Sequence, residues 1–87
     1  MAVYGGDLAQ LDTLSRQFLT EIDAVDGLQT RISGALETTA WSGPAAERFR
    51  TQWAQDFVPA LLRLKEALSE SSSVVKDRRN AIEMATS

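Results

Sequence analysis

The stretch AWSGPAAERF, Ala40 to Phe49, lies near the middle of an 87-residue chain and sets a tryptophan, a glycine and a proline within four residues. Gly43 has access to backbone angles closed to other residues, and its place before a proline biases it away from the helical region. Pro44 fits the first position of a helix, where a missing N–H costs nothing and the fixed φ is already helical. The stretch therefore reads as a chain reversal at about 40–43 between two helices, with Ser42 or Gly43 as the cap of the second.

Both neighbours carry a helix period. Upstream, Leu8, Leu11, Leu14, Phe18, Ile22, Val25, Leu28, Ile32 and Leu36 recur every three or four residues, which predicts one helix over about 7–38, roughly 45 Å long, with Asp7 as its N-cap. Gly27 and Gly34 each cost about 1 kcal/mol against alanine without breaking that phase. Downstream, Ala46, Phe49, Trp53, Phe57, Leu61, Leu64, Leu68, Val75 and Ile82 keep steps of three, four or seven and predict a second helix over about 44–83. Within it Pro59 removes the hydrogen bond to the Gln55 carbonyl and crowds that carbonyl with its ring. Because the apolar phase passes from Phe57 to Leu61 unshifted, the pattern predicts a kink near Pro59 with the face preserved; two helices meeting at Val58 are the alternative.

The fold class is thus all-α, a single antiparallel hairpin, and a hairpin is one layer where a domain needs two. Trp41, Phe49, Trp53 and Phe57 crowd toward the turn, as core of its closed end or as a pocket for aromatic or cationic groups. Leu19, Val58 and Leu62 widen the apolar stripes beyond a two-helix seam. A wet leucine-sized group forfeits about 1.5–3 kcal/mol, so the pattern predicts that two hairpins close over each other as a dimeric four-helix bundle. The residues expected at that interface or in the core are Leu11, Phe18, Ile22, Val25, Ile32, Phe49, Trp53, Phe57, Leu61, Leu64 and Leu68.

Composition narrows the chemistry. The chain has no cysteine and no histidine, which removes disulfides, soft-metal ligands and the usual general bases and nucleophiles. Asp23 with Asp26 and Glu66 with Glu70 are spaced to share a cation, but read better as solvated surface. No cofactor and no enzymatic activity are expected. Net charge is −3, and bases alternate with acids instead of forming the stripe that phosphate binding needs, so nucleic acid is not an expected partner. No window approaches the roughly 18 apolar residues of a membrane span, and MAVYGGDLAQ lacks the basic and apolar regions of a secretory leader. The serines at 69 and 71–73 read as solvated filler, or as small residues allowing a close helix approach. Lys76, Arg78 and Arg79 complement the carbonyl end of the second helix, or hook an acidic partner.

The turn also carries a resemblance. Trp41-Ser42-Gly43, followed by Ala45, Ala46, Phe49 and Trp53 and set near the centre of the chain, resembles the Trp-x-Gly signature of the WXG-hundred (ESAT-six-like) family, small substrates of type VII (ESX) secretion. The resemblance implies a hairpin that pairs with itself or with a related hairpin and is exported folded from the cytoplasm by an ATPase-driven machine, secreted without a cleaved signal peptide. It assigns Trp41 and Gly43 to one half of an export signal. The other half, a C-terminal Tyr-x-x-x-Asp/Glu element, has no counterpart in KDRRNAIEMATS, and the one tyrosine, Tyr4, stands at the opposite end. That departure favours a partner that supplies the missing half. The alternative function is an intracellular adaptor or chaperone for a larger secreted effector or toxin.

Overall fold

A computed structural model describes residues 5–86 of the chain; Tyr4 lies outside them. The chain forms α1 (Leu8–Thr38), α2 (Pro44–Gln52), a π-helical turn (Trp53–Phe57) and α3 (Val58–Thr86), with no strand among the described residues. The last three run on as one continuous second arm. Asp7 caps α1, its Oδ1 accepting from the Gln10 N–H at 3.0 Å. At the other end the Thr39 N–H and hydroxyl both donate to the Ala35 carbonyl, at 3.0 and 2.6 Å.

The reversal follows at once. The Trp41 N–H donates to the Thr39 carbonyl at 2.9 Å, and Gly43 enters the second arm at φ 107° and ψ 175°. That backbone region is essentially reserved for glycine. Gly43 is the cap residue, and its carbonyl accepts from the Glu47 N–H at 3.1 Å.

The arms run antiparallel. Asp12 meets Arg79, Ser15 meets Ser72, Asp26 meets Lys65, Ser33 meets Trp53, and Leu36 meets Arg50. The rod they form measures 64 × 18 × 16 Å, its long side equal to the second arm from Pro44 to Thr86 at about 1.5 Å per residue.

On α1 the half-buried or buried side chains that face the second arm are Leu11, Ser15, Phe18, Ile22, Val25, Gln29, Ser33 and Leu36. Opposite them lie Ala46, Arg50, Trp53, Val58, Leu61, Lys65, Leu68, Ser72, Val75, Arg79 and Ile82. These steps of three and four are the spacing of an antiparallel coiled-coil seam. One step breaks the rule: the seam passes from Trp53 to Val58, five residues, across the π-turn.

Here the structure corrects the sequence reading, which carried the face past Pro59 unshifted. The Val58 N–H donates to the Trp53 carbonyl, the five-residue spacing of a π-helix. In an α-helix the ring of Pro59 would collide with the Gln55 carbonyl, and a wider turn immediately before the proline is a way to relieve that collision. The surplus residue rotates everything downstream. Val58, Lys65 and Ser72 take the seam in place of Phe57, Leu64 and Ser71, and Phe57 and Leu64 are left exposed.

The seam is polar where Ser15 faces Ser72. Ser15 and Ser72 are buried with their hydroxyls 2.9 Å apart, the Ser15 hydroxyl 3.1 Å from the Ser72 carbonyl and the Ser72 hydroxyl 2.9 Å from the Ser15 carbonyl. Ser72 thus belongs to a close helix approach and not to solvated filler. Arg79 is likewise drawn into the hairpin, with Nε 3.0 Å from Asp12 Oδ1 and Nη1 on Glu83. Among the described residues the only apolar one classed as buried is Ala46, at 0% exposure.

Two glycines separate backbone from packing. A Cβ at Gly43 or at Gly34 would meet nothing within 4 Å, so substitution acts through conformation alone. Gly43→Ala is expected to destabilise the hairpin by about 1–3 kcal/mol, and Gly34→Ala, inside α1, to stabilise it by up to about 1 kcal/mol. Urea titrations of the two variants should move the midpoint in opposite directions.

Candidate functional site

The large side chains that miss the seam are not scattered. On α1 Leu14, Leu28 and Ile32 each stand one residue before a seam position, and so do Phe49, Phe57, Leu64 and Val74 on the second arm; all seven are exposed. In an α-helix one residue is a rotation of about 100°. Because the arms run in opposite directions, residues preceding the seam on both arms fall on the same flank of the hairpin. Ala24, Ala35, Ala45, Ala60, Ala67 and Ala81 occupy further positions of this set, and its only charged members are Glu21 and Arg78.

The opposite flank, made of residues following the seam, is a different surface. Asp12, Arg16, Asp23, Asp26 and Glu37 stand there on α1, and Glu47, Glu66, Lys76 and Glu83 on the second arm. Leu19 and Leu62 are its exposed large apolar residues. The grooves between the arms repeat the contrast. One is lined by Phe18, Ala67, Val74 and Val75 together with Glu70 and Ser71, the other by Asp12, Arg16, Lys76 and serines beside Leu19.

The apolar flank continues to the turn. Trp41 is 42% exposed and stacks at a tilt on Phe49, with ring centroids 5.8 Å apart. Trp53 and Phe57 form a second tilted pair at 5.9 Å, and the indole N–H of half-buried Trp53 donates to Ser33 Oγ at 3.0 Å. The aromatic cluster is therefore a partly open surface. Of the eleven residues expected at an interface or in the core, Ile32, Phe49, Phe57 and Leu64 are exposed; Leu11, Phe18, Ile22, Val25, Trp53, Leu61 and Leu68 are half-buried along the seam.

Arg50 organises the turn, and the sequence reading passed over it. Nη1 donates to the Trp41 carbonyl at 2.9 Å, Nη2 to the carbonyls of Leu36 at 3.2 Å and Thr39 at 3.3 Å, and the guanidinium carbon sits 5.9 Å from the centre of the Trp41 ring. The end of a helix leaves carbonyls without partners and favours positive charge. No basic residue stands in the last turn of α1, so the facing arm supplies one. That vacancy was the available signal: a basic residue one or two turns into the second helix is placed to fill it.

The pairs of acids give little else. Asp26 is held by Lys65 at 2.6 Å, and among the described residues no group of three or more metal-binding side chains forms. No helix among them is long and apolar enough to cross a membrane.

No family model, curated protein or solved structure matches the chain.

Replacing Arg50 tests the turn. Arg50→Ala removes the guanidinium from three carbonyls, of which that of Thr39 keeps the Trp41 N–H, and should cost about 1.5–3 kcal/mol, whereas Lys65→Ala at the surface pair with Asp26 should cost about 1 kcal/mol or less. Thermal melts of both variants give the comparison. In a Trp53→Phe background, the fluorescence of Trp41 should shift to the red when Arg50 is removed.

Proposed function

We propose that this chain is a non-enzymatic helical-hairpin protein of the ESAT-six-like kind. In this reading it pairs through its apolar flank with a second hairpin as a four-helix bundle, and is exported folded by a type VII secretion system as a substrate or as the partner of one. The observation that carries the pairing is the flank itself, a stripe of seven exposed large apolar side chains with two charges among its positions. Surface area agrees with it. The chain exposes 6504 Å², where a compact monomer of 9.5 kDa exposes roughly 5,000 Å². The excess is comparable with what one partner of an obligate dimer buries, about 1,000–2,500 Å².

A second copy of this chain fits the flank. Apolar faces with few charges meet without repulsion, whereas two copies of the acidic flank would oppose each other. Trp41 and Gly43, at the turn end of the same flank, are then the export element presented by the bundle to the secretion ATPase. In this reading the protein resides in the cytoplasm before export. The Tyr-x-x-x-Asp/Glu element, which KDRRNAIEMATS does not contain, is supplied in this reading by a related hairpin or by a larger effector.

Light scattering tests the pairing directly. The purified chain should show about twice its own mass, Phe57→Glu and Leu64→Glu should reduce it to a monomer, and Leu62→Glu on the acidic flank should not. A sharply melting monomer at all concentrations, alone and with a neighbouring hairpin, would overturn the pairing; doubling only on mixing would identify a heterodimer. For export, the chain should reach the culture supernatant only while a type VII ATPase is active, and Trp41→Ala should reduce that export more than it reduces dimer stability. Retention in the cell beside a bound effector would indicate the adaptor function instead.

A further inference from the structure

The π-turn decides which face of α3 looks at α1. A continuous α-helix from Trp53 returns to the seam one residue earlier throughout, at Phe57, Ala60, Leu64, Ala67 and Ser71, burying in the hairpin the two large side chains that now stand on the flank. With one residue more in the turn, the seam instead runs through Val58, Leu61, Lys65 and Leu68. The difference is a rotation of about 100°. The hairpin gives up Phe57 and Leu64 from its own seam and gains a broader apolar flank.

Two contacts pin the surplus residue between them. Upstream, the Trp53 indole N–H is bonded to Ser33 at 3.0 Å; downstream, Ser15 and Ser72 interlock with hydroxyls 2.9 Å apart. Pro59 stands just past the turn, where its ring and missing N–H oppose relaxation to an α-helix.

We propose that Pro59, by holding the π-turn, is the residue that assigns Phe57 and Leu64 to the partner-facing flank. This rests on pairing through that flank with a second copy of the chain. Pro59→Ala removes the obstacle, and the arm relaxes into an uninterrupted α-helix that turns both side chains toward α1. The seam takes in Phe57 and Leu64 in place of Val58 and Lys65 and exchanges Leu61 and Leu68 for Ala60 and Ala67, and the partner face loses two of its largest contacts.

The test uses the full chain, sedimentation equilibrium, and introduced cysteine pairs, for which a chain without cysteine is a clean background. In the parent chain Ser15→Cys with Ser72→Cys should oxidise readily to a disulfide. Pro59→Ala should weaken self-association by about tenfold or more, as expected for lost leucine-sized contacts. It should also shift crosslinking from the 15–72 pair to Ser15→Cys with Ser71→Cys. Deleting Gln55 in the Pro59→Ala background removes the surplus residue, so that a regular helix delivers the original downstream phase; both association and the 15–72 crosslink should return. Association and crosslinking unchanged by Pro59→Ala would overturn the proposal, and so would failure of the deletion to restore them. A parent chain that never associates overturns the pairing itself, while the crosslinks still report separately whether Pro59 sets the register.

Discussion

Serines interlock the two arms where Ser15 meets Ser72, and the rest of the molecule follows from that constraint. Small hydroxyl side chains let α1 and α3 approach closely and bond to each other's backbone. Such a contact fixes the register of two helices, yet it removes little apolar surface from water. With Lys65 and Arg79 also in the seam, polar matches interrupt its apolar layers and align the arms. Leu14, Leu28, Phe49, Phe57 and Leu64, which could have added to the seam's cohesion, stand to one side.

Helix boundaries and the turn were legible in the sequence because local chemistry determines them. Asp7 caps and Pro44 starts for reasons internal to a few residues, and Gly43 takes a conformation no other residue adopts readily. The orientation of α3 was not legible, because periodicity counts residues while a π-turn changes how many make a revolution. From Phe57 to Leu61 the apolar spacing reads as an uninterrupted face, and only the backbone at Trp53–Phe57 reveals that the face has slipped. Pro59 signalled a disturbance without saying whether it would bend the helix or widen it.

The candidate site was legible by type more than by place. An apolar surplus was visible in Leu19, Val58 and Leu62, but the exposed flank is built from other residues, and its place depends on the slip and on the antiparallel pairing together. Arg50 was hidden differently. Its role is to satisfy carbonyls on the other side of a turn, and such a need becomes visible only when the end of α1 and the start of α2 are considered at once.

The rod also has a hydrodynamic consequence. Its radius of gyration is 19.5 Å, whereas a compact chain of this length has one of about 12 Å, and roughly 300 residues of globular protein would be needed to reach the larger value. A single copy therefore travels through a sizing column as though it were heavier than it is. Lateral doubling thickens the particle while leaving its length almost untouched, so apparent size rises far less than mass. Elution volume and translational diffusion are blunt instruments for a molecule of this shape, and scattered intensity, which follows mass alone, is the sensitive one.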